Sequence, residues 1–463
     1  MSDINGVLSI AGQALITQQR AIHVTGHNIA NVNTPGYSRQ RLIMAPTVAF
    51  DSVVGIMGNG VSADEVERIY DRFLNAQITS ETFVMGRWDA QKQSVESLEV
   101  IFNESLGSGL NQAMSEFWNA WQALSNNPSG PTERQILVTR SQVLASTFNK
   151  LDADIAQARQ DLDRSIVGTV ADINELSAQL ADLNQKIVSF ETVTQSANDY
   201  RDKRDVVLNE LAELIDINSF EDEHGAVTTL IANGRPLVSG GSVWQLSTET
   251  NASGLEDVVW TDGAGNTVNI NTDISGGRLK GWLETRDIVI VDLANRLDTL
   301  AQNLMTEVNN LHQVGFDLNA NAGEVFFDGS ATAAGIAVNA NIVADFNLIA
   351  AAMDPLTVPG DNRNGIDIAN LQHQLLMSGN TATFSDYYST LVRDVGNEVL
   401  KADSYHTHQS EMVAQLNNYR ESISGVSLDE EMINLLKFQN AYAAAAKLVT
   451  ASDEMIKTVI QMI

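Results

Sequence analysis

Apolar residues recur at every seventh position at both ends of the chain. Residues 1–33 place Leu8, Leu15, Ile22 and Ile29 at this interval. Residues 428–463 repeat it with Leu428, Leu435, Tyr442, Val449, Ile456 and Ile463. A second row, Met432, Ala446 and Ile460, is interrupted by the polar Gln439 and Asp453. Sustained heptads predict helices that bury a narrow seam against other helices. Two such ends on one chain predict termini that meet each other. In between, residues 132–224 contain no proline and one glycine, Gly168. Leu162, Ile166, Ile173, Leu176, Leu180, Leu183 and Ile187 keep helical spacing there, which predicts a long amphipathic helix, bent at Gly168. The break before it is Asn126–Pro131. Trp88–Leu124 also reads as helical, interrupted at Gly107–Gly109.

The pattern changes at Gly225. Ten glycines fall within residues 225–281 and separate short runs of strand character: Val227–Ala232, Ser242–Leu246, Val258–Thr261 and Thr267–Ile270. Asn233-Gly234 and Asp262-Gly263 are turn signals. Helix returns over about 279–314, gives way to an irregular stretch at 315–365, and dominates from 366 onward. Residues 40–75 read as an extended connector. The expected fold is mainly α with a small inserted β domain, elongated, and closed by paired terminal helices. The expected divisions are a terminal helical core of 1–55 plus 416–463, a long-helix body of 56–215 plus 280–415, and a β insert of 216–279.

Charge and composition remove several function classes. The formal net charge is -30, so neither a nucleic-acid partner nor an anionic lipid surface is expected. The absence of cysteine excludes disulfides and thiolate chemistry. No apolar run is long enough for a membrane span, and the first residues lack the cationic and apolar regions of a cleaved signal. Any export would use another route. Residues 1–46 hold Arg20, Arg39 and Arg41 against Asp3, a basic arm on an acidic protein and a candidate contact.

The first helix ends in Asn28-Ile29-Ala30-Asn31-Val32-Asn33-Thr34-Pro35-Gly36-Tyr37. Pro35 presets φ for the first central position of a turn, and Gly36 supplies the positive φ of a type II turn at the next. The asparagines can satisfy the last helical carbonyls and amides. This string resembles the signature of bacterial flagellar rod, hook and junction proteins. Its continuation, Ser38-Arg39-Gln40, is similar to the junction branch, the family of first hook-associated proteins. Ser427-Leu428-Asp429-Glu430-Glu431-Met432, with Phe438-Gln439-Asn440-Ala441-Tyr442 and Asp453-Glu454-Met455, resembles the same family's C-terminal helix. Asn127-Pro128 with Arg134-Gln135, Asn198–Asp205, Asn233–Val238, Gly276–Gly281 and Asp361–Asn364 extend the resemblance along the interior. The stretch from Phe327 to Asp361 is short for that family, whose larger members carry a further domain there.

No site for chemistry emerges from the residues. His23 and His27 have metal-ligand spacing on a helix but no carboxylate to complete a set. His406 and His408 lie on different faces of a helix. Asp317-x-Asn319-x-Asn321 resembles a calcium loop, yet Ala322 and Asp328 stand where that geometry needs Gly and Glu. Met114, Phe117, Trp118 and Trp121 read as core. No catalytic, cofactor or metal role is assigned.

The resemblance implies a structural protein, not an enzyme: subunits that self-assemble into a short tubular ring between hook and filament. It implies contact with the hook protein below and with the second junction protein (hook-associated protein 3) above. It also implies export by the flagellar type III apparatus, with a chaperone on the C-terminal helix. The expected assembly interface is the seam rows named above together with Asn28, Asn31, Thr34, Pro35, Gly36 and Tyr37. Lone helices are marginal in water, so the ends are expected to be mobile in the monomer and ordered in the assembly. Two alternatives stay open: another hook or rod protein, or an adhesive module carried on the β insert.

Overall fold

The computed structural model describes residues 2–52, 55–103, 109–191, 196–231 and 233–462. The chain is 64% helical with a few small sheets, and elongated. It opens with α1 (Ser2–Ala30), followed by strands β1 (Gln40–Pro46), β2 (Phe50–Ser52), β3 (Gly55–Met57) and β4 (Val61–Arg68). The connector expected at 40–75 is therefore mostly ribbon. β1 and β4 pair antiparallel from Gln40↔Arg68 to Pro46↔Val61, with a bulge after Ile43. The body follows with α2 (Arg72–Phe102), α3 (Leu110–Asn126), α4 (Pro131–Phe190) and α5 (Asn198–Leu214).

Helix α4 is the spine. Pro131 occupies its first turn, where the missing N–H costs nothing. Its 60 residues span about 90 Å. Its first half, including Leu137, Leu144 and Phe148, packs into one core with Phe117, Trp121 and Phe326. Its second half, from Ile166 to Ile187, packs into another. Gly168 lies within the continuous helix.

The second core is roofed by two antiparallel sheets. β5 (Ile217–Glu221), β6 (Val227–Ile231), β7 (Arg235–Ser239) and β8 (Ser242–Val243) form the first, in that order. β9 (Leu246–Thr250), β10 (Glu256–Thr261) and β11 (Thr267–Asn269) form the second, with β10 central. Asn233 and Gly234 both adopt positive φ, the requirement of a tight hairpin turn. Helix then resumes as α6 (Gly277–Glu284), one π-helical turn at Thr285–Val289, and α7 (Ile290–Val314). The irregular stretch carries β12 (Phe327–Asp328), β13 (Ala337–Val338), α8 (Ala340–Ala344) and α9 (Arg363–Asn370). It ends at α10 (Phe384–Ser424), which a Thr383–Asp386 capping box opens. The last helix is α11 (Leu428–Gln461).

Buried polar groups pin the irregular stretch. Arg134 donates to the carbonyls of Pro128 and Ile349 at 2.9 and 2.8 Å, and burial lowers its pKa to about 10. Asn364 donates to Ala350 O, and Asn362 to Ser125 O. The Asp317 carboxylate accepts from the backbone N–H groups of Asn319 and Asn321, closing its own turn. His312 is fully buried: its Nδ1 donates to Glu324 O at 2.6 Å, and its Nε2 accepts from Ala350 N–H at 2.9 Å. Acceptance at Nε2 requires the neutral ring, and burial lowers its pKa from 6.5 to about 4. A histidine with a depressed folded pKa contributes stability above its unfolded pKa and loses it as pH falls. The window here runs from pH 6.5 down to about 4, and the loss amounts to roughly 3 kcal/mol at about 1.4 kcal/mol per unit. Urea titrations of the native chain and His312→Gln across that window are expected to converge toward acid. Parallel profiles would contradict this role.

Candidate functional site

The site is a clasp where the two ends of the chain meet the body. The Asn28 amide donates to Glu431 Oε2 at 3.1 Å, joining the end of α1 to the start of α11, so the two helices run antiparallel. Ser427 caps α11, and Asp429, Glu430 and Glu431 place negative charge in its first turn, where the helix dipole favours it.

Asn28 is the hub. Its amide also donates to Gln40 O at 2.8 Å, and its Oδ1 accepts from Gln40 N–H at 3.0 Å and from the Tyr37 hydroxyl at 2.8 Å. Tyr37 is folded back to reach it by the turn at Thr34–Tyr37, closed by a Tyr37 N–H to Thr34 O bond. Gly36 holds φ +76 in this turn, and a Cβ there would stand 2.3 Å from the Val206 side chain. Gly36→Ala is therefore strained in backbone and packing together. About 2–4 kcal/mol of local destabilisation is expected, read as faster amide exchange in residues 28–40. An unchanged exchange pattern would contradict the constraint.

Carboxylates surround the hub. Arg39 donates from Nε to Glu431 Oε1 at 2.8 Å and from Nη1 to Glu430 at 2.7 Å. Its backbone N–H donates to Ser424 O at 2.8 Å, tying the ribbon to the end of α10. Helix α5 closes the other side. Asp202 accepts from Ser38 N–H at 2.9 Å and from Arg68 at 2.9 Å, and Arg68 also donates to Asp205 at 2.6 Å. Gln40 Nε2 donates to Asp199 at 2.8 Å. Burial, then the carboxylates of Asp199, Asp202 and Glu431, hold the Tyr37 hydroxyl well above its ordinary pKa, so it stays a donor. His27 Nδ1 lies 3.0 Å from that hydroxyl and its Nε2 3.6 Å from Asp199. Asn31 donates to His27 O and accepts from Thr34, closing the helix end. Beside the turn lies a groove of about 570 Å³, lined in part by Pro35, Tyr37, Leu183, Val206, Asp182 and Asp199.

The most buried positions of α1 and α11 are not their rows of large apolar residues. The buried positions of α11 are Glu431, Ala445 and Ser452, with Phe438 and Val459 half-buried in the same seven-residue row. Among the described side chains of α1 they are Ala11, Thr17, Ala21, Thr25 and Asn28, with the Thr17 hydroxyl donating to Val61 O in β4. Small side chains let two helices approach closely, which turns the larger ones to the flanks. Leu8, Leu15, Ile22 and Ile29 are half-buried, as are Leu435, Ala446, Val449 and Ile456. Leu428, Met432, Tyr442 and Ile460 are exposed, together with Ile433, Leu436 and Leu448. Asn31, Gly36 and Tyr37 are half-buried and Thr34 and Pro35 exposed. Ile463 lies outside the described residues. Two arginines of the basic arm are paired within the chain: besides Arg39, Arg41 pairs with Glu67 at 2.5 Å. Sequence reasoning named Arg39 and Glu431 without their pairing. It read Asp199 and Asp202 only as part of the Asn198–Asp205 motif.

The arrangement offers fastening and apolar surface. Among the described residues no cluster of three or more histidine, aspartate or glutamate side chains could hold a metal ion. No described helix is long and apolar enough to cross a membrane.

Comparison with known proteins places this architecture. The model described as flagella basal body rod protein matches residues 8–37, and that of the flagellar basal body rod FlgEFG protein C-terminal matches residues 420–462. The clasp thus joins two segments shared with rod proteins, and the chain is a structural component of the bacterial flagellum. The helical-domain model of flagellar hook-associated protein FlgK matches residues 95–327. Flagellar hook-associated protein 1 of Bacillus subtilis is 30% identical over 98% of this chain and 97% of its own length. The Escherichia coli protein of that name is 26% identical over 99% of this chain and 100% of its own. The chain belongs to the flagellar hook-associated protein 1 family. The solved hook junction protein FlgK from Burkholderia pseudomallei shares the fold, with TM-score 0.68 at 16% identity, over 76% of this chain and 100% of that one.

Proposed function

We propose that this protein is a structural subunit of the junction between flagellar hook and filament, and that its copies build a short tubular ring. The observation that carries this reading is α11: its buried positions include the small Ala445 and Ser452, while the large apolar Leu428, Met432, Leu436 and Leu448 face solvent on more than one side of the helix. Surface of that kind on a long helix is covered by other subunits in an assembly. The terminal hairpin forms the inner wall of the ring. The long-helix body and the β insert lie outside it. Hook protein contacts one rim and the second junction protein the other. Before assembly a type III export chaperone covers these exposed apolar residues of α11, and the ends become fully ordered only in the ring. The work is mechanical, with no reaction catalysed.

Truncating residues 428–463 tests this. Cells with the shortened chain are expected to carry bare hooks and to shed unattached filament protein into the medium. Filaments of normal number and length on those hooks would sink the reading.

A further inference from the structure

Two exposed surface features lie on different parts of the chain. One is Arg72–Phe73 in the first turn of α2. The Phe73 ring is 91% exposed. The Arg72 side chain is 79% exposed, with the Glu221 carboxylate at 3.9 Å. Asp71 caps the backbone beneath this pair, accepting from Phe73 N–H at 2.9 Å and Leu74 N–H at 3.1 Å. Aromatic side chains and arginine are enriched at the cores of protein interfaces. The other feature is the groove beside the Thr34–Tyr37 turn. Its apolar lining includes Pro35, Leu183 and Val206, and Asp182 and Asp199 stand on its rim beside Lys203; Asp182 pairs with Lys186 at 2.6 Å and Asp199 accepts from Gln40 at 2.8 Å. More than half of each aspartate side chain is exposed.

The two are chemically matched: an apolar ring and a cation against an apolar lining and two carboxylates whose present partners, Lys186 and Gln40, leave more than half of each side chain exposed. We propose that Arg72–Phe73 of one copy seats in this groove of the next copy, with the ring on Pro35, Leu183 and Val206 and the guanidinium between Asp182 and Asp199. The inference rests on the junction reading. The patches are different surfaces of one chain, so the contact is head-to-tail and propagates around a ring instead of closing a symmetric pair. One wall of the groove is the turn that fastens the terminal hairpin, so a neighbour seated there also presses on the clasp.

The chain has no cysteine, which allows a clean test. Phe73→Cys and Gln179→Cys, both at exposed positions, are expressed together in one cell, and isolated hook–filament particles are oxidised. A cross-linked dimer that forms only when both variants are present is expected. Particles that contain both variants yet give no such dimer, or give it equally from either variant alone, overturn the contact while leaving the junction reading intact. Particles lacking the chain altogether overturn both. In a second arm, Arg72→Glu is expected to lower filament attachment about tenfold, and Asp182→Arg in the same chain to restore most of it. Failure of the reversal to restore attachment counts against the contact.

Discussion

Glu431→Ala is expected to unfasten the C-terminal helix and leave cells with few attached filaments. Glu431 is only 2% exposed, and its two oxygens serve different partners, Asn28 and Arg39. Alanine there strands the Asn28 amide's second bond and removes the carboxylate from the buried edge of the Arg39 guanidinium. Breaking one side of a buried pair costs about 3–5 kcal/mol. Arg39 keeps Glu430 and part of its hydration, so the lower end applies. The loss falls on the hinge between α11 and the rest of the chain, not on the body cores. Amide exchange in α11 is therefore expected to rise about a hundredfold while exchange in α4 stays unchanged. Glu431→Gln, which keeps the shape and one acceptor, should fall between the two. Exchange in α11 equal to that of the native chain would show that the clasp does not hold it.

Arg286→Ala is expected to destabilise the body by a similar or larger amount through a different mechanism. Arg286 sits in the π-helical turn between α6 and α7 and is fully buried. Its guanidinium donates to Asp163 at 2.6 Å, to Asp287 at 2.8 Å and to the Glu256 carbonyl at 2.6 Å. Asp257 lies 3.8 Å away. One cation thus joins α4, β10 and the α6–α7 helix. Removing it leaves the largely buried Asp163 carboxylate without its counter-charge and opens a cavity. A loss of about 3–5 kcal/mol follows, seen as a lowered urea midpoint. Arg286→Lys should recover little, because one ammonium cannot span the same acceptors. A midpoint within experimental error of the native chain would contradict this account of the joint.

The elements were legible because their signals are local. The Leu162–Ile187 spacing marks the buried face of α4, and Asn233-Gly234 supplies the two positive φ angles its hairpin needs. The ends were legible as helices but not in register. Large apolar residues at heptad spacing outweigh Ala445 and Ser452 in any hydrophobic count, yet close approach selects the small side chains. The distinction depends on what else packs on the helix, and one chain does not contain its neighbours. The clasp was half visible. The Thr-Pro-Gly-Tyr turn follows from backbone chemistry at Pro35 and Gly36. The closure of Asn28 and Arg39 on Glu431, some 400 positions away, depends on tertiary arrangement that no local pattern encodes. A signal was present nonetheless: Glu431 sits in an acidic first turn where helix capping alone would accept any of three neighbouring carboxylates. Asp202 was likewise hidden in a charged run that reads as solvated surface but turns one face to Ser38 and Arg68.

The most direct measurement is a density map of the intact hook–filament junction containing this chain. The account predicts a ring of subunits with α1 and α11 side by side on its inner wall, and Leu428, Met432, Leu436 and Leu448 of α11 packed against adjacent copies. A ring whose inner wall is formed by other segments, with α11 displayed to the outside, would contradict it.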